Sequence, residues 1–245
     1  MTETIDPKIV AQLAPTGRLR AAINMSNFLL VVSKTANGLP VGPSPDVAGE
    51  VARRLGVELE LVPYPRPSDI AAAAGNDEWD IANIGAEPQR AAVIDFTAAY
   101  SEIEATYLVP PDSPITDVSE VDVSGRTISA PAGSAYGLWL ENNVRAADLR
   151  LIKGNPFDQF VEANMDALAG LRSGLVKDQQ RLPGSRILPG QFTAVQQAVG
   201  VNKGHPEAFA WLKDFVEGIK ASGFVAELIE RHGVAGQLSV APAVI

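Results

Sequence analysis

The chain has 245 residues, 46% of them hydrophobic and 20% charged, with a formal net charge of −9. Its acidic and basic residues are interspersed with no basic face, so a nucleic-acid partner is not expected. The absence of cysteine excludes disulfides, thiolate nucleophiles and cysteine-ligated zinc. The two histidines sit in Gly-His-Pro and Arg-His-Gly contexts, so neither a metal nor a cofactor is expected.

In chain order, the first seven residues lack both a basic and an apolar export region. Two readings follow: an export signal replaced in the chain as given, or a protein that is not exported, so the cytoplasm stays open. Residues 6–13 combine a capping Asp6, Pro7 at the first helical position and apolar spacing, which reads as a helix and favours a natural start. Strands are expected at 19–23, 58–63 and 80–84, with helices at 45–55 and 68–74 between them. Residues 106–109 read as extended and run into Pro110-Pro111-Asp112-Ser113-Pro114, a crossing into a second unit. That unit is expected to hold strands at 127–130, 149–152 and 167–171 and helices from Tyr136 and at 157–163. The chain then returns through 194–201, and helices at 206–221 and 224–232 carry apolar residues at helical spacing. Alternating strands and helices point to α/β layers with mainly parallel sheets.

Residues 79–109 are the most telling. Ile81, Ala82 and Ile84 form a short apolar run that Gly85 ends, and Pro88 suits the first turn of a helix. Arg90 falls in that turn, where a guanidinium beside helical N–H groups would suit a carboxylate. Asp95-Phe96-Thr97 and Tyr100 follow.

This arrangement resembles the family 3, amino-acid type, solute-binding proteins of ABC transporters, whose signature runs T-P-E-R and then V-D-F-S-x-P-Y. Four other stretches resemble the family in the same order: Gly17–Asn24, Pro45–Val57, Gly133-Ser134 and Val199–Glu207. The resemblance implies a two-lobed type II periplasmic-binding-protein fold with a mainly parallel sheet in each lobe and two hinge strands. It further implies a first lobe of residues 1–108 with 192–245 and an inserted second lobe of 109–191.

The resemblance carries ligand-binding positions over one by one. Arg90 matches the arginine that pairs with the ligand carboxylate. Asn24 falls at a polar contact position, although an Asn there also forms turns. Asn83 and Gly85 match positions of backbone and hydroxyl contacts; at Gly85 a main-chain contact alone survives. Ser134 matches the second-lobe loop, with Ala135 where threonine is usual.

Three departures bear on specificity. The family's D-A-x-x-x-D strand reads Asp166-Ala167-Leu168-Ala169-Gly170-Leu171-Arg172 here, so the aspartate that grips a ligand ammonium is replaced. The loop that commonly gives an aromatic lid reads Pro63-Tyr64-Pro65-Arg66-Pro67, which brings Tyr64 or Arg66 to the ligand according to register. Were Arg66, Arg90 and Arg172 all to face the cleft, the site would be cationic and select anions. Gln197, beside Gln196 on the returning strand, offers an amide to the ligand or to strand pairing.

The resemblance thus implies a non-enzymatic, monomeric, extracytoplasmic binding protein that takes an amino acid or organic anion and works with an ABC-transporter permease. Two alternatives stand beside it. One is a dehydratase-like enzyme with Glu87 or Glu141 as general acid, although each also reads as a solvated helix charge. The other is a cytosolic sensing domain with a stable protein partner.

Overall fold

The computed structural model describes residues 5–244; residues 1–4, part of the stretch that bears on export, lie outside it. The chain runs α1 (Pro7–Leu13), β1 (Arg18–Asn24), β2 (Ser33–Lys34), β3 (Pro40–Val41), α2 (Pro43–Leu55), β4 (Glu58–Tyr64), α3 (Pro67–Ala72), β5 (Ile81–Gly85), α4 (Pro88–Ala91) and β6 (Ile94–Val109). There follow β7 (Thr127–Pro131), α5 (Ala135–Asn143), β8 (Asp148–Ile152), α6 (Pro156–Glu162), β9 (Ala167–Leu171), α7 (Arg172–Arg181), β10 (Arg186–Ile187), β11 (Thr193–Asn202), α8 (Pro206–Ala221), α9 (Phe224–Arg231) and β12 (Ser239–Val240). Two compact units result: residues 1–102 with 196–245, and residues 103–195.

In the first unit the strand order is β4-β1-β5-β11-β6. β1 pairs in parallel with β4 and β5, whereas β11 runs antiparallel to β5, with Gln197 opposite Gly85 and Val199 opposite Asn83. Every residue of β5 is buried, as befits a strand covered on both faces. α2 shows why this sequence makes a helix here. Pro43 opens it, buried Val47, Ala48, Val51, Ala52 and Leu55 make one apolar stripe, and Gly56 closes it in the left-handed conformation at φ 70°. α8 buries Ala208, Leu212, Phe215, Val216 and Ile219 in the same way. Gly200 is glycine for space: a Cβ there would lie 2.5 Å from Cγ2 of Ile94 and 3.0 Å from Cε1 of Phe96.

In the second unit the order is β6-β9-β7-β8. Period-2 alternation divides its core into two faces. Tyr107, Val109, Ala167 and Ala169 join Ile128, Ala130 and Leu140 on one face, while Leu108 and Leu168 meet Phe157, Phe160, Met165 and Leu175 on the other. Two polar pins set the edge. The Asp166 carboxylate accepts from the Thr127 N–H at 2.8 Å and hydroxyl at 2.9 Å, and Asp122 accepts from the N–H groups of Arg145, Ala146 and Ala147.

Several elements differ from expectation, β10 and β12 among the unexpected ones. β6 extends for 16 residues, far beyond the expected 106–109, with Ile103 and Ala105 buried on either side of exposed Glu104 and residues 105–109 buried throughout. α7 was not expected, since Leu175 is its one buried apolar residue and Val176 faces outward, leaving no helical stripe to read. The short β2–β3 hairpin has no apolar pattern of its own.

Candidate functional site

The carboxyl ends of parallel strands are where an α/β sheet offers loops to a ligand. β1 ends at Asn24, β4 at Tyr64 and β5 at Gly85, and the register sets Asn24 beside Tyr64 and Ile23 beside Asn83. The expected residues of the first unit therefore lie along one sheet edge, but several have local duties. Asn24 Oδ1 accepts from the Ser26 N–H at 3.1 Å and hydroxyl at 2.7 Å, an Asx turn that carries the chain out of β1. The Tyr64 hydroxyl donates to Glu78 at 3.0 Å, and burial together with that carboxylate pushes its pKa up to about 12. Arg66 precedes α3, with its side chain 71% exposed, and forks onto Asp69 of the same helix at 3.2 and 3.1 Å. Asn83 donates from Nδ2 to the Ser44 carbonyl at 2.8 Å, tying β5 to the first turn of α2. Its Oδ1 is buried without a hydrogen-bond partner among the described residues.

Arg90 is the most deeply placed of the expected site residues with a charge, at 4% exposure. Nη1 donates to the Gly85 carbonyl at 2.7 Å, so the guanidinium is anchored to the end of β5, where Gln197 lies opposite. The helix that holds it is shorter than the sequence suggests. α4 has four residues, and the Glu87 carbonyl accepts from the N–H groups of Arg90 and Ala91, both at 2.9 Å. One turn carries little of a helix dipole and few open donors; the expected contribution of the helix terminus gives way to the guanidinium.

Glu87 is the residue that the sequence reading misplaced. It is 8% exposed, not a solvated helix charge. Its side chain caps no N–H of α4, and no hydrogen bond or ion pair engages it among the described residues. Burial pushes its pKa up to about 7, against the Coulombic pull of Arg90, and burial likewise lowers the pKa of Arg90 against the pull of Glu87. Desolvation thus outweighs mutual attraction for both groups. The sequence does carry a signal: a carboxylate two residues past a fully buried strand and three before a buried arginine cannot reach far into solvent. Glu141, the other carboxylate considered, is exposed on α5.

In the second unit Ser134 caps α5, accepting from Gly137 N–H at 3.0 Å and donating to the Pro131 carbonyl at 3.0 Å. Arg172 opens α7. It pairs with Glu104 at 2.7 Å and donates to the carbonyls of Leu188 and Gly190. Arg66 and Arg172 each hold a carboxylate of their own unit, while Arg90 is grouped with Glu87 and Gly85. Among the described residues no cluster of three His, Asp or Glu side chains suits a metal ion, and no helix is long and apolar enough to cross a membrane.

No curated protein sequence matches the chain. Solved structures do. The solute receptor for L-cysteine of Neisseria gonorrhoeae is similar at 20% identity and TM-score 0.73, over 95% of this chain and 99% of that one. An amino acid ABC transporter substrate-binding protein, AbpA, from Streptococcus pneumoniae, bound to L-arginine, is similar at 21% identity and TM-score 0.69, over 90% and 96%. An ancestral amino acid-binding protein described as a precursor of cyclohexadienyl dehydratase is similar at 21% identity and TM-score 0.70, over 91% and 97%. These likenesses establish the two-lobed type II periplasmic-binding-protein fold. The family model "Bacterial extracellular solute-binding proteins, family 3" matches residues 19–235, and the chain belongs to that family of solute-binding proteins.

Proposed function

We propose that this protein captures a small carboxylate-bearing solute, an amino acid or organic acid, outside the cytoplasm and presents it to an ABC-transporter permease, as a monomeric binding protein and not an enzyme. The observation that carries this reading is Arg90, a buried guanidinium held to the carboxyl end of β5 through the Gly85 carbonyl. Its fork of donors matches a carboxylate in two parallel charge-assisted bonds, and a low-exposure setting strengthens them. Asn24, Tyr64, Asn83 and Gln197 line the same strand ends and would shape what lies beyond the carboxylate. Arg66, Ser134 and Arg172 have local partners and are assigned secondary roles.

A thermal-shift screen against amino acids, dicarboxylates, keto acids and aromatic acids tests the ligand class, since a ligand at 100 times its Kd stabilises by about 2.7 kcal/mol. Arg90→Ala is expected to weaken binding of any hit by more than about 2 kcal/mol. Affinity left unchanged removes Arg90 from the site. The buried Glu87, with its raised pKa, favours one second reading, a dehydratase-like acid catalyst. Recovery of bound ligand unchanged after prolonged incubation discards it.

A further inference from the structure

We propose that Glu87 is a specificity residue that meets the ligand as a neutral carboxylic acid, donating its proton in a hydrogen bond to the carboxylate held by Arg90, so that binding takes up a proton and favours a plain organic acid. The inference rests on the reading of Arg90 as the carboxylate site.

The geometry argues for it in three steps. Glu87 is more than nine-tenths buried and three residues from Arg90, across the single turn of α4, whose N–H groups its side chain does not cap. An ionised carboxylate in that setting would want donors, and α4 gives it none. A neutral acid needs no donor and has an O–H to give. The groups around it support the same state. Arg90 on α4 is the charged group that acts on Glu87. β5 contributes Gly85 and Asn83, both neutral. β11 adjoins through the Gln196 carbonyl, which accepts from Ala86 N–H at 2.8 Å, and brings Gln197 and the Gln196 amide, the latter held by Glu102 of β6 at 2.8 Å. Bringing in a ligand carboxylate adds a like charge, which favours the protonated acid further. Because the free side chain titrates near pH 7, its proton is available around neutrality.

The test uses acetate as a minimal carboxylate probe and L-alanine as a probe that adds an ammonium, by titration calorimetry and thermal shift from pH 6 to pH 8. Arms are the full chain, Glu87→Gln, Glu87→Ala and Arg90→Ala, each first checked for a cooperative melt. Acetate is expected to bind about tenfold more weakly at pH 8 than at pH 6, with proton uptake seen as a dependence of the heat on buffer ionisation. Glu87→Gln, which keeps a donor, should hold near the low-pH affinity across the range and lose the proton uptake, whereas Glu87→Ala should bind weakly at every pH. Acetate binding that ignores pH, or an equal slope in Glu87→Gln, overturns the inference and leaves the Arg90 reading standing. L-alanine affinity that rises with pH overturns it too, by making ionised Glu87 an ammonium receptor. Acetate and L-alanine without effect at any pH, or undiminished in Arg90→Ala, overturn the Arg90 reading itself.

Discussion

The two ends of the first unit's sheet treat an arginine in opposite ways. At the amino end, Arg20 of β1 is closed off by carboxylates. Asp80 accepts from Nη2 at 2.7 Å, from Nε at 3.2 Å and from the Arg20 backbone N–H at 2.7 Å, and Asp77 accepts from Nη2 at 2.7 Å. Those bonds, Asp80 first, raise the pKa of Arg20 against burial. At the carboxyl end, Arg90 donates to the Gly85 carbonyl, and for Arg90 and Glu87 alike burial outweighs their mutual attraction in setting the pKa. One arrangement completes its electrostatics within the chain and serves stability. The other is anchored to the backbone, which suits the ligand-binding role proposed for it.

Substitutions can break or sharpen that contrast. Asp80→Ala should have the largest effect on stability, a loss of about 3 kcal/mol in denaturant unfolding, because it removes three hydrogen bonds from Arg20 and leaves that arginine to Asp77. Unfolding resembling the unmodified protein would mean that water enters and that the amino end is no more closed than the other.

Glu87→Gln should show the next largest difference, in the pH dependence of stability without ligand. The folded pKa near 7 lies above the ordinary carboxylate value, so the folded state holds its proton more tightly. Stability should then fall as pH rises from about 4.5 to 7 and level above it, by on the order of 2 kcal/mol attributable to this residue. The variant should lack that component, measured as the difference between the two unfolding curves across pH; identical slopes would show that Glu87 is solvated after all.

Arg172→Ala removes the Glu104 pair and two carbonyl bonds from a side chain 35% exposed, and a loss of about 1–2 kcal/mol is expected in unfolding experiments. Ligand affinity shifted more than stability would return Arg172 to the binding residues. Arg66→Ala should matter least. Its exposed pair with Asp69 is worth under about 0.5 kcal/mol, and affinity in calorimetry should change less than twofold.

The fold was largely legible because its strands and helices declare themselves by burial period. β9, with Ala167, Leu168 and Ala169 buried, and α8, with one clean apolar stripe, match expectation to the residue. α7 escaped because an anchor of one apolar residue gives no period. The site was half legible. Arg90 is readable from its spacing to Asp95, and it proves to be buried. The surroundings of Asn24, Tyr64 and Ser134 were not readable, since Ser26, Glu78 and Gly137 engage them through geometry that no short motif encodes. Glu87 was misjudged because charge type suggests solvent, whereas the buried end of β5 and the anchored Arg90 hold it inside.

The discontinuity of the first unit has a consequence for biosynthesis. Residues 103–195 form a contiguous unit and can fold as they leave the ribosome, in the usual order of emergence. β5, Glu87 and Arg90 emerge earlier yet must wait, because β11, the strand that pairs with β5 and sets Gln197 against Gly85, is made after that whole segment. Until then β5 presents an unpaired apolar edge, a surface for chaperones to guard. The chain is therefore incompetent to hold its cargo until β11 has been made and has paired with β5.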